Sequence, residues 1–180
     1  MNFFDTGLLP VALDIIYGPL PGGPVGSALL LLLVLLGSFA GGAAVGGLIG
    51  GEAKLVDATG HNGLSSSLMG AVQTEAVARA MAVLERSATM GVIVAAPTAG
   101  SAGVVPGCVL ALADHLQLDD EQVMDALYCA AAIGLNLTTS ACVAGAEGGC
   151  QAEVGSAAAM AAAALVQMLG GTPEQALDAS

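Results

Sequence analysis

The chain has no tryptophan, its aromatic residues make up 3% of the whole, and only 10% of its residues are charged. A core without large rings must be filled by Ala, Leu, Val and Met, and at 56% hydrophobic residues these are plentiful. That favours closely approaching helices over a β-sandwich, which draws on β-branched and aromatic residues. Positive charge is scarcer still. Lys54, Arg79 and Arg86 stand against fifteen acidic residues, for a formal net charge of −12. So few cations cannot neutralise a phosphate backbone, which argues against a nucleic-acid partner. There is no C-x-x-C among Cys108, Cys129, Cys142 and Cys150, and no Cys/His pair at zinc spacing. No Lys or Arg precedes residue 54, so the charged start of a secretory signal is missing. Free thiols in a reducing, cytoplasmic setting are the expectation, with one thiol available as a metal ligand.

What is present suggests one mostly α-helical domain, since 180 residues are enough to enclose a core. Gly18-Pro-Leu-Pro-Gly-Gly-Pro24 cannot form regular structure. Residues 25–51 carry no charge: Ala28–Leu36 is aliphatic, and the remainder is rich in Gly and Ala with glycines four apart. Insertion of 25–51 in a membrane is the alternative reading. A buried, glycine-broken segment is favoured, because nine aliphatic residues are too few to span a bilayer and no basic flank sets an orientation.

Beyond Gly51 the pattern predicts a helix over 68–90, a loop over 94–107, and a short helix over 108–117. Asp119-Asp-Glu-Gln122 reads as a capping box opening a helix to about Leu135, followed by a loop over 138–149. An alanine-rich helix over 152–169 comes next. Thr172-Pro-Glu-Gln175 then caps a last helix that has hardly begun at Ser180, so the sequence reads as cut short.

Two glycine-rich loops each lead into a helix. In Ala96-Pro-Thr-Ala-Gly-Ser-Ala-Gly103, small residues let backbone N–H groups approach a ligand, and the helix start that follows favours an anion such as a carboxylate. A plain turn between two helices accounts for the same pattern. In Gly145-Ala-Glu-Gly-Gly-Cys-Gln151, a thiolate beside a helix N-terminus is stabilised by the dipole and free N–H groups, which suits metal ligation. A buried structural cysteine is the competing reading. Glu147 and Glu153 flank Cys150 and either could orient substrate, with a solvated or capping carboxylate the favoured reading. His115 reads as a surface residue, and His61, in a loop that could reach a site, is favoured as a bystander.

The stretch Ala96-Pro-Thr-Ala-Gly-Ser-Ala-Gly-Val-Val-Pro-Gly107, then Gly145-Ala-Glu-Gly-Gly-Cys-Gln-Ala-Glu-Val-Gly155, then Gly170-Gly-Thr-Pro-Glu-Gln175 resemble, in this order, successive motifs of the α chain of iron–sulfur-dependent L-serine dehydratases. Gly50-Gly-Glu-Ala53 is similar to a short motif upstream. The similarity runs over 48–180, a helical domain of the dehydratase α type. Residues 1–47 form a divergent apolar, Gly/Pro-rich segment. The resemblance implies a lyase converting L-serine to pyruvate and ammonia with a 4Fe–4S cluster and without pyridoxal phosphate, in partnership with a β chain or domain. It places a cluster ligand at Cys150 and substrate contacts at Thr98, Ala99, Gly100 and Ser101. The family's two further ligands would lie downstream of this sequence, and one cysteine cannot hold the cluster. Cys108, Cys129 and Cys142 do not match ligand positions and are expected to be core thiols. A non-catalytic membrane-associated or interaction protein, or a degenerate fragment without the cluster, is the rival expectation.

Overall fold

The structure, a computed structural model, describes residues 51–61 and 69–180. Residues 1–50, including nearly all of the uncharged 25–51 stretch, lie outside it, so the membrane reading and the divergent segment are not addressed. Six helices and no strand make up the described residues: α1 Glu52–His61, α2 Ala71–Ala88, α3 Val104–Leu116, α4 Asp120–Ser140, α5 Gly145–Met168 and α6 Pro173–Ala179. The mostly helical expectation holds. Helices α2 and α3 pack against each other, α5 lies against α3 and α4, and α6 closes on α5.

The core follows from the composition. Val105, Val109 and Leu110 of α3 meet Val123, Leu127 and Ile133 of α4, with Met160 and a row of alanines from α5. Small side chains fill a core only where backbones come close, and the α2–α3 crossing shows how. Gly103 and Gly107 stand four apart and face Ala80 and Ala76 on α2, also four apart. A Cβ on Gly107 would lie 2.6 Å from the Ala76 carbonyl oxygen, and one on Gly103 would strike the Ala80 carbonyl. Arg79 bridges the same pair of helices, donating to Glu75 one turn back and to Asp114 on α3.

The caps form as the sequence signals. The Asp119 carboxylate accepts from the Gln122 N–H at 2.9 Å while the Gln122 side chain accepts from the Asp119 N–H at 3.1 Å. Thr172 and Gln175 repeat the arrangement at the start of α6. Three boundaries differ from expectation. Helix α3 begins at Val104, within the predicted loop, because Pro106 falls in the first turn, where its missing N–H costs nothing. Helix α4 continues through Ser140, and the Thr138 and Thr139 hydroxyls bond back to the Leu135 carbonyl at 3.0 and 2.9 Å instead of breaking the helix. Helix α5 begins at Gly145, with a kink at Gly149 (φ 77°, ψ 172°) separating an opening turn from the long straight part. This helix alone among the described ones is long and apolar enough to cross a membrane by length and composition, a test that core helices also pass.

Helix α1 has an N-terminus with no capping side chain of its own, since Gly51 (φ 104°) precedes it. The acceptor comes from α2: the buried Glu85 carboxylate takes the Ala53 N–H at 2.8 Å. Burial pushes the Glu85 carboxyl up, but hydrogen bonding from the backbone of Ala53 and Gly51 and from the side chain and backbone of Glu52 together outweighs it and holds it below the ordinary range. Gly51-Glu-Ala53 is thus a docking element in which the Ala53 N–H meets a carboxylate from another helix.

Two predictions follow from this packing. Gly107→Ala should destabilise by about 1–3 kcal/mol, because neither backbone at the crossing can yield. Gly155→Ala, at a helical position with open space around it, should stabilise by about 0.5–1 kcal/mol. Thermal melts of the two variants check the opposite signs. For Glu85, a depressed folded pKa means its contribution is complete above the ordinary glutamate range, near pH ~4.3. It is lost as pH falls through the lower folded value. Glu85→Gln should lower the melting temperature at neutral pH, and the gap to wild type should narrow in acid below about pH 4.

Candidate active site

The loop from Ala96 to Gly103 connects α2 to α3, and its conformation follows from hydrogen bonds among its own small residues. The Ala96–Pro97 peptide is cis. The Ser101 hydroxyl, buried at 1% exposure, lies 3.3 Å from the Ala96 carbonyl and 3.0 Å from the Thr98 hydroxyl. The Ala102 N–H donates to the Ala99 carbonyl and the Val104 N–H to the Ser101 carbonyl, at 3.3 and 3.0 Å. Ser101 therefore holds the loop together from within, Thr98 is half-buried, and Ala99 and Gly100 form its exposed crest.

The second loop is the turn between α4 and the straight part of α5. Its Glu147 and Gly148 N–H groups bond to the Ala144 carbonyl at 3.1 and 2.9 Å. Gly149 then takes a backbone conformation that is essentially reserved for glycine. It opens the straight helix just as Gly70 (φ 79°, ψ 160°) opens α2. Cys150 follows at the first position of that straight helix, with its thiol exposed. An exposed thiol at the start of a helix is open to ligation.

The two loops meet at one carboxylate. Glu153, one turn after Cys150, accepts a hydrogen bond from the Thr98 hydroxyl. A Cβ on Gly100 would lie 2.8 Å from its carboxyl oxygens, and one on Gly145 would lie 2.7 Å from Oε2. Glu153 is therefore neither a solvated nor a capping group, as had been expected. It is half-buried between the loops, one turn into the straight part of the helix. The i, i+3 spacing from Cys150 was the one signal for this in the sequence. Its partner, 55 residues away, carried none.

The other titratable residues divide cleanly. Cys108 and Cys129 pack against the core, and burial raises both thiols. Cys142 departs from the expected core role. It is exposed, with Sγ 3.4 Å from Glu147 Oε2, beside the Gly148 turn. Its short connection between α4 and α5 leaves nothing to cover it. His115 is exposed at the end of α3, as expected. His61 ends α1, and the expectation for its imidazole lies outside the described side chains. Among the described residues no group of three or more Cys, His, Asp or Glu could hold a metal ion. Cys150 has the exposed thiol that one corner of a cluster would need.

The chain matches the family model described as "Serine dehydratase alpha chain" over residues 34–180. It is 50% identical over 133 residues to the probable L-serine dehydratase α chain of Bacillus subtilis (strain 168), covering 74% of this chain and 44% of that one. To the L-serine dehydratase α chain of Peptoniphilus asaccharolyticus it is 47% identical over 133 residues, 74% of this chain and 45% of the other. With L-serine dehydratase 1 of Escherichia coli (strain K12) it shares 48% identity over 101 residues, 53% of this chain and 21% of the other. The chain spans about half the length of the curated α chains it matches. No solved structure matches it.

Thiol chemistry should follow the geometry. At neutral pH an alkylating reagent should modify the exposed Cys142 and Cys150 at least roughly tenfold faster than Cys108 and Cys129, whose burial disfavours the thiolate. Peptide mass spectrometry of a labelling time course reads the four sites separately. Equal rates at Cys108 and Cys150 would contradict the packing.

Proposed function

The chain belongs to the serine dehydratase α-chain family, and from that membership we propose that it is the α component of an L-serine ammonia-lyase acting in the cytoplasm with a β chain or domain. The reaction is the deamination of L-serine to pyruvate and ammonia. The observation that carries the reading furthest is the meeting of the Pro97–Ser101 loop and the Cys150 turn at Glu153. It puts the loop read as substrate-binding beside the residue read as a cluster ligand.

In this reading Thr98, Ala99 and Gly100 contact substrate. Gly100 lacks a side chain, so backbone at the exposed crest can approach a small amino acid closely. Ser101 acts indirectly, because its hydroxyl is committed to the loop. The start of α3 adds a partial positive charge behind the loop, which favours the serine carboxylate. Cys150 holds one corner of a 4Fe–4S cluster whose other ligands come from outside the described residues. When bound, such a cluster supplies a Lewis-acidic iron for the serine hydroxyl, and pyridoxal phosphate is not required. The exposed crest and the exposed thiol leave this face open for the β chain to cover and to exclude water from.

The test is assembly and turnover. The full chain is produced with a serine dehydratase β chain, reconstituted anaerobically with iron and sulfide, and assayed for bound iron, visible absorbance and pyruvate formed from L-serine. Pyruvate formation that is lost in Cys150→Ser, together with a fall in bound iron, is the expected result. Full iron binding and turnover in Cys150→Ser would remove the cluster assignment. Absence of both iron and turnover in the wild-type assembly would favour a non-catalytic relative.

A further inference from the structure

We propose that Glu153 is a positioning residue whose carboxylate, wedged between Gly100 and Gly145, holds the Pro97–Ser101 loop and the Cys150 turn in one register. The wedge has two faces. On one side a methyl group at residue 100 would meet the carboxyl oxygens at 2.8 Å, and on the other a methyl group at residue 145 would meet Oε2 at 2.7 Å. Both loops therefore give up side-chain volume to the same group. The hydrogen bond to Thr98 adds direction. Thr98 is in turn 3.0 Å from the Ser101 hydroxyl, and Ser101 reaches the carbonyl of buried Ala96. A continuous polar connection thus runs from α5 into the base of the loop.

The partners of this carboxylate also argue for a mechanical role. The ion pairs among the described residues run to Arg79 and none to Glu153. A carboxylate held by a hydroxyl and two glycines, with no cation, is placed by shape and one directional bond. Cys150 lies one turn before Glu153 on the same straight helix. Fixing Glu153 against the loop therefore fixes the distance between Cys150 and the loop crest. The catalytic consequence of that distance rests on the lyase reading, whereas the connection itself does not.

Amide hydrogen exchange of the full chain tests the connection without any turnover. The reporters are the amides of Ala96, Ala102 and Val104 on one side and of Glu147 and Gly148 on the other, all hydrogen-bonded in their loops. Thr98→Val and Glu153→Ala should each speed exchange on both sides together by roughly tenfold, the scale of a lost hydrogen bond to a charged group. The conservative Thr98→Ser should leave it near wild type, and amides in the middle of α4 should not change. Faster exchange on one side only, an equal rise in Thr98→Ser, or no rise would overturn the proposal. In the enzyme assembled with its β chain, Gly145→Ala displaces the carboxylate without altering any substrate contact. It should lower kcat/KM for L-serine at unchanged iron content, and have no further effect in a Glu153→Ala background. Additive losses in the double variant, or an unchanged kcat/KM in Gly145→Ala, would show that Glu153 does not position the site. If the wild-type assembly turns over no serine, the lyase reading fails while the exchange result still decides the connection.

Discussion

The contact between the α2 and α3 backbones at Gly103 and Gly107 is the constraint on which the rest of the structure depends. Two missing Cβ atoms let carbonyl groups of Ala76 and Ala80 sit where side chains would otherwise be. Close approach of this kind is what a core built from alanine and valine requires, because short side chains cannot bridge a wider gap. It also fixes the site. Gly103 is both the tighter of the two contacts and the N-cap of α3, so the loop ending at Gly103 inherits its position from the crossing. The connection from Ser101 through Thr98 to Glu153 then carries that position across to α5.

A shortage of cations shapes how this chain uses its acids. With three Lys and Arg residues against fifteen carboxylates, few acidic groups can be held by ion pairs. Apart from Glu75 and Asp114, which Arg79 holds, the ones with structural roles are held by dipoles. Glu85 is held by the Ala53 N–H at the start of α1, Asp119 by the Gln122 N–H, and Glu153 by a threonine hydroxyl. Such partners lose nothing to proton exchange near neutrality and are directional. They suit groups that must fix an angle between elements, whereas a surface ion pair contributes little and is screened by salt.

Legibility from the sequence divides along the range of the interactions. The caps at Asp119 and Thr172 were readable because donor and acceptor lie three residues apart. The helix boundaries went astray where a residue has two permitted roles. Pro106 can break a helix or sit in its first turn, and Thr138 and Thr139 can leave a helix or bond back into it. The two candidate loops were legible as motifs, and their similarity to the dehydratase α chains pointed to the same residues. Their meeting was not legible. Glu85 finds its partner 32 residues away and Glu153 finds Thr98 55 residues away. No local pattern distinguishes these two carboxylates from the solvated majority. The exposure of Cys142 belongs to the same class, because it depends on what fails to cover a short connection.

Gly149 explains how one helix can serve both loops. Its φ of 77° and ψ of 172° lie in a region where a side chain costs about 1–3 kcal/mol. A regular helix through 145–168 would carry the opening turn straight into the long segment, with no break ahead of Cys150. With the kink, the long segment starts afresh at Cys150, so the thiol sits exposed at a helix start. One turn later Glu153 projects back over the opening turn it has just left, as helical side chains do toward their N-terminus. That is why its carboxylate can press on Gly145 at all. The same glycine therefore sets the exposure of the cysteine and the reach of the carboxylate. The motif Gly145-Ala-Glu-Gly-Gly-Cys-Gln-Ala-Glu153 works as one device, with Cys150 and Glu153 held a single helical turn apart.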